Sequence, residues 1–289
     1  MANLELNWSP IGTGTAGQRL NNPANNNRTA NTPLLGIMGS SNYNSMQVRN
    51  QVRVGDVAFT VGYTFSKNLG YIVPSSVQGG AAMPWLYRTY NYGPLPTDIA
   101  SNLESTAVVE LPFGKGKRWV STGKAAAILG GWQVSDIFSA FTGRPFSAVA
   151  SATSLNAVYS YQFANCIGTP HQTGNIYQWY DFSAFANPKA GGFGSCGQDV
   201  LRGPGLINTD VGLERKFAFK ERWNLAFRTE AFNAGNTPHH ASPGFTSSTG
   251  TTSANSISSS SFMQAFNIAN TGRDGLDQRA IRFSLKLRW

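Results

Sequence analysis

The chain has 289 residues, enough for one large or two ordinary domains, and a formal net charge of +9 on only 13% charged residues. Its cations are scattered in ones and twos, the densest group being Lys115, Lys117, Arg118 and Lys124; no basic helix or aromatic RNA-binding motif accompanies them, which argues against a nucleic-acid partner. No run approaches the ~20 consecutive apolar residues of a membrane helix. The opening MANLELNWSP lacks the basic end, apolar centre and cleavage site of a secretory signal, so an exported protein is expected to begin further upstream. The 31 glycines, 18 phenylalanines, 10 tyrosines and 7 tryptophans favour strands and turns over helices.

Residues 1–42 are rich in Asn, Gly, Pro and Thr and read as a loop-like lead-in, with Leu4 and Leu6 marking at most a strand end. From Tyr43 the texture changes. Met46, Val48, Val52 and Val54 alternate with Gln47, Arg49, Gln51 and Arg53; Gly55-Asp56 then signals a short turn. Val57, Phe59, Val61, Tyr63 and Phe65 alternate with Ala58, Thr60, Gly62, Thr64 and Ser66, completing a hairpin. After a long loop over 68–100, a third strand is predicted from Asn102 to Phe113, with Glu104 and Glu110 opposite Ala107, Val109 and Leu111. Gly114-Lys115-Gly116-Lys117-Arg118 turns the chain, and a small-residue stretch leads to Trp132.

A fourth strand is predicted from Trp132 to about Ala150. Asp136 interrupts its apolar series, which predicts a β-bulge near that residue, and Gly143 with Pro145 marks a second irregularity. Residues 151–205 have little periodicity. Ile207, Thr209, Val211, Leu213 and Phe217 then alternate with Asn208, Asp210, Gly212, Glu214 and Lys216; Lys220-Glu221-Arg222 leads to a sixth strand with Leu225, Phe227, Thr229 and Ala231 opposite Asn224, Arg228 and Glu230. A Ser/Thr/Asn-rich loop fills 234–278. In the closing strand Ile281, Phe283, Leu285, Leu287 and Trp289 share one face, and Arg282, Ser284, Lys286 and Arg288 the other.

Connections alternate between short turns near 55, 114–130 and 220 and long loops over 68–100, 151–205 and 234–278, the asymmetry of a membrane barrel with short periplasmic turns and long external loops. Arg49, Arg53, Glu104, Glu110, Asp210, Glu214, Arg228, Glu230, Arg282 and Lys286 fall opposite the apolar stripe, where a barrel has its hydrated interior. The expected class is therefore all-β, an antiparallel transmembrane β-barrel wall over 43–289. Seven strands do not make an even-numbered barrel, so either residues 2–8 supply an eighth or the strands belong to a larger wall. Two other readings stand: a small complete eight-stranded barrel acting as adhesin or structural protein, and a soluble carbohydrate-binding β-sandwich. Cys166 and Cys196 are either two unrelated thiols or, in an oxidising compartment, one disulfide pinning a long loop.

Chemistry is sparse. His171 stands alone, and adjacent His239 and His240 would point apart on a strand, so no metal site is expected. Gly114-Lys115-Gly116-Lys117 lacks the spacing of a phosphate loop, and no Gly-x-Ser-x-Gly elbow occurs. Glu104 and Glu110 lie about 20 Å apart on a strand, too far to act as a carboxylate pair. Neither an enzyme nor a cofactor is expected.

Several segments carry a resemblance: Tyr43-Asn44-Ser45-Met46-Gln47-Val48, Tyr63-Thr64-Phe65-Ser66-Lys67, Glu110-Leu111-Pro112-Phe113-Gly114-Lys115-Gly116, Gly130-Gly131-Trp132-Gln133-Val134-Ser135, Thr142-Gly143-Arg144-Pro145-Phe146, Leu201-Arg202-Gly203-Pro204-Gly205 and Phe227-Arg228-Thr229-Glu230-Ala231-Phe232-Asn233. In this order they resemble the C-terminal barrel of Oar-like TonB-dependent transporters of acidobacterial type. The ending on Trp289 is similar to the terminal strand that the barrel-assembly machinery reads. The resemblance implies an outer-membrane location in a Gram-negative cell, a 22-stranded barrel and a plug domain and TonB-contacting segment on an N-terminal part outside this sequence. It also implies uptake of an extracellular solute of siderophore, oligosaccharide or peptide class; it supplies no catalytic residues.

Overall fold

The computed structural model describes residues 2–5, 33–36, 39–71, 89–151, 161–219, 223–244, 254–269 and 277–288. Seven strands form one antiparallel sheet in chain order: β1 (Ser41–Val54), β2 (Val57–Tyr71), β3 (Ser101–Glu110), β4 (Trp132–Phe141), β5 (Leu206–Phe219), β6 (Trp223–Phe232) and β7 (Ala280–Arg288). Their lengths run from 9 to 15 residues, and a tilted transmembrane strand needs about 9–11. A three-residue strand, Tyr92–Pro94, pairs with the outer end of β2 and makes the sheet eight-stranded. Residues 2–5 pair with Pro33–Gly36 in a separate two-stranded sheet, so they are not the eighth strand of the wall.

Period-two alternation persists across the whole sheet because the registers stay in phase. One row runs Val54, Val57, Val109, Val134, Leu213, Thr229 and Phe283; the row on the other face at this height runs Arg53, Ala58, Val108, Ser135, Gly212, Glu230 and Arg282. A one-residue slip at any seam would exchange the faces. The β1–β2 turn is the two-residue Gly55-Asp56, with Gly55 at φ +54°, a conformation glycine adopts without steric cost.

Three sequence expectations fail locally. The β3–β4 and β4–β5 ladders run unbroken past Asp136, opposite Ala107 and Val211, so there is no bulge: Asp136 is a carboxylate placed on the apolar face beside Trp132 and Val134. The third strand ends at Glu110 rather than Phe113; Pro112 has no N–H to donate, and Phe113 turns to bridge Trp119 instead. The fourth strand ends at Phe141 rather than near Ala150. There the Gly143 backbone lies directly against Gly203 and Pro204, an approach no Cβ would permit.

The chain's core is not in the sheet. Phe146, Val149, Phe163, Tyr180, Phe185, Leu201, Phe262 and Met263 pack together in the long connections after β4 and β6, with Ala148, Ala150, Ala164 and Ala241 between them. These loops build a cap at the end of the sheet away from the short turns. Among the described residues no second layer covers the sheet: Phe283 is 72% and Leu285 68% exposed, where a β-sandwich would bury them between two sheets.

Candidate functional site

The registers set Arg49, Arg53, Glu104, Glu110, Asp210, Glu214, Arg228, Glu230, Arg282 and Lys286 on one face of the sheet. Arg49 and Glu104 flank Gly62 in one row; Glu110, Gln133, Glu214, Arg228 and Ser284 form another nearer the short turns. Arg228 lies 2.6 Å from Glu230 and 3.6 Å from Glu214, and Lys216 reaches Glu214 at 3.2 Å. Across the sheet, both edge strands carry only cations on this face, Arg49 and Arg53 on β1 and Arg282, Lys286 and Arg288 on β7, whereas β3 carries only Glu104 and Glu110. An open recess of about 440 Å³ at the turn end of β5–β7 is lined by Glu214, Lys216, Arg228, Ser284, Lys286 and Arg288. Lys117, in the turn after β3, closes this zone with bonds to Asp56 at 2.5 Å and Glu110 at 2.9 Å. Those two carboxylates, Asp56 first, raise the Lys117 pKa above its ordinary value.

The opposite face is largely apolar. Met46, Val48, Phe59, Phe65, Ile207, Ile281, Phe283, Leu285 and Leu287 all stand exposed on it. Arg215 shares this face, which sequence alternation alone did not single out. Its guanidinium stacks over Trp132 and Phe217 and donates to the carbonyls of Ala127 and Ile128.

Two of the resemblance segments meet at the base of the cap. Pro145–Phe146 pairs with Leu201–Arg202, and the Arg202 guanidinium reaches the buried Asp98 carboxylate and the Gly143 carbonyl. Between this clasp and the outer end of the apolar face lies a cleft of about 650 Å³ bordered by Tyr63, Leu103, Ile207, Gln172, Trp179 and Arg202. A disulfide joins Cys166 to Cys196 across 30 residues, tying the strand Asn165–Cys166 to the turn before Leu201. Inside the cap Asp199 is buried, its carboxylate accepting from the Ser147 hydroxyl at 2.6 Å. Burial pushes the Asp199 carboxyl up to about 6, and the Ser147 bond pulls it only part of the way back.

The histidines do not assemble. His239 is buried with Nδ1 3.6 Å from Asp277, while His240 pairs through its backbone with Ile268. Among the described residues no three His, Cys, Asp or Glu side chains come together as a metal site. Ile281, Phe283, Leu285 and Leu287 of the terminal segment share the apolar face; Trp289 lies outside the described residues.

A sheet with one face apolar and bare, the other ionic, short turns at one end and a folded cap at the other is the wall of a membrane β-barrel. The chain matches the family described as an outer membrane beta barrel domain over residues 1–273 and belongs to it, which places it in the outer membrane. No curated protein and no solved structure matches the chain.

Proposed function

We propose that this chain is the barrel-wall portion of a TonB-dependent outer-membrane receptor that takes up an extracellular solute of siderophore, oligosaccharide or peptide class. The observation that carries the reading is the in-phase ionic face of seven strands beneath a cap with its own packed core. That face borders an aqueous interior, and the cap makes first contact with solute. The work is physical rather than catalytic.

Strand direction supports a wall larger than these seven strands. In an antiparallel sheet with an odd number of strands the two edges, β1 and β7, run the same way, and pairing them would also bring Arg49 and Arg53 beside Arg282 and Lys286. Like charges directly opposed are destabilising, and unpaired edges in lipid cost several kcal/mol per backbone group. Further strands would therefore complete the wall, with outer-membrane lipid outside, a plug domain inside and the barrel-assembly machinery as the folding partner. A small eight-stranded adhesin loses support because residues 2–5 pair elsewhere.

The test is uptake in the native host. Cells lacking this gene should lose growth on one solute class, and cells lacking TonB should lose the same growth. Unchanged uptake of every class in both strains, with a defect only in surface attachment, would replace transport with adhesion.

A further inference from the structure

Between β3 and β4 the chain spends 21 residues, 111–131, on what is otherwise a short-turn end, and builds there the helix α1 (Gly123–Leu129). Among the described residues, the contacts that anchor the helix lie at its C-terminal end. Gly130 and Gly114 lie backbone against backbone, where a Cβ on either would meet the other's Cα within 2.7 Å. Trp132 Nε1 donates to the Ile128 carbonyl at 3.1 Å, and Arg215 donates to the carbonyls of Ile128 and Ala127. Trp132 and Arg215 both belong to the apolar face. The helix is thus fastened to the lipid-facing side of the wall, at its periplasmic margin.

Fastened there, the helix buries none of its own side chains. Ile128 is 65% and Leu129 48% exposed, and Trp119, which lies against Phe113 in the same turn, is half exposed. An isolated apolar residue on a surface needs no explanation, but these adjoin the bare apolar face of the wall and continue it. The same turn has no Asp or Glu anywhere in 111–131, whereas it holds Lys115, Lys117, Arg118 and Lys124. Lys117 is engaged by Asp56 and Glu110. Lys115, Arg118 and Lys124 are exposed and have no carboxylate partner among the described residues; Arg118 lies over the Trp119 ring at 5.8 Å.

We propose that the 111–131 turn is a docking surface for anionic phospholipid of the periplasmic leaflet. Helix α1 lies in the headgroup plane, with Ile128, Leu129 and Trp119 among the upper acyl carbons and Lys115, Arg118 and Lys124 on the phosphates. A segment of this composition, a short helix with exposed apolar residues beside a turn of cations and no acid, has the chemistry of an interfacial surface. Each cation near an anionic surface is worth roughly a fivefold gain in binding. The surface is continuous with the wall's lipid-facing side and independent of which solute the barrel handles.

The test uses the full chain in detergent micelles, with lipid retention read by native mass spectrometry against phosphatidylglycerol, phosphatidylcholine and inorganic phosphate. The wild-type chain should retain phosphatidylglycerol in preference to phosphatidylcholine by tenfold or more on these grounds. The triple variant K115Q/R118Q/K124Q should lose that preference and still bind phosphatidylcholine; I128S/L129S should weaken both lipids alike. All five positions are exposed, and an unchanged far-UV circular dichroism spectrum confirms that each variant keeps its strands. A triple variant with wild-type preference overturns the proposal, as does displacement of phosphatidylglycerol by equimolar phosphate, which would mark a site for the free anion.

Discussion

Phe163 and Phe283 are the same side chain in two different surroundings: the first is fully buried in the cap, the second 72% exposed on the wall. In the cap, residues far apart in sequence exclude water from one another, as in a soluble protein, and a disulfide adds a cross-link. In the wall, each strand contributes half its side chains to a largely apolar face whose members, Phe283 and Leu285 among them, stand exposed among the described residues. The cap thus carries its apolar surface within itself, and the wall depends on lipid for its own. One chain solves the problem of apolar surface twice, and the two solutions should fail independently.

The largest effect should come from the cap. Phe163→Ala removes a ring from a filled core and should cost about 3–5 kcal/mol of cap stability. Limited proteolysis should then cut within residues 142–205 while the strand signal in circular dichroism persists. Simultaneous loss of both would merge the two regions into one cooperative unit. Next comes the wall. Leu285→Arg, on the face meant for lipid, should cost about 2–4 kcal/mol in urea-dependent folding into vesicles and leave cap proteolysis unchanged. Ser284→Arg, one residue along on the ionic face, should cost less than half as much. Equal costs would mean that the two faces meet the same solvent.

The smallest effect sharpens the cap's side of the comparison. Asp199 titrates near 6 in the folded cap, above the ordinary 3.8 for an aspartate, because burial disfavours its charged form. A raised carboxyl pKa contributes stability that is present below the unfolded value and lost as pH rises through the folded one. The cap should therefore gain about 1–1.5 kcal/mol between pH 7.5 and pH 5, read as a higher melting temperature by scanning fluorimetry. Asp199→Asn should flatten this dependence and raise the melting temperature at pH 7.5. A wild-type cap that melts lower at pH 5 would reverse the sign and remove burial as the cause.

The seven strands, their two faces and the alternation of short and long connections were all legible in the residues, because a strand's pleat sets the facing of each side chain locally. Asp136 and Arg215 were not. At Asp136 the polar residue suggested a bulge where the neighbouring registers held the strand straight, and Arg215 became interpretable only with Trp132 and the α1 carbonyls beside it.

The cap was hidden for a different reason. Its contacts have no period: Asn255 donates to the Ser147 carbonyl from 108 residues away, and Arg202 reaches Asp98 across 104. Sequence alone determined what each strand shows to either side, since backbone geometry decides that within a few residues. Only the tertiary structure decided that the long connections fold on themselves into a core, since that depends on which distant apolar groups meet.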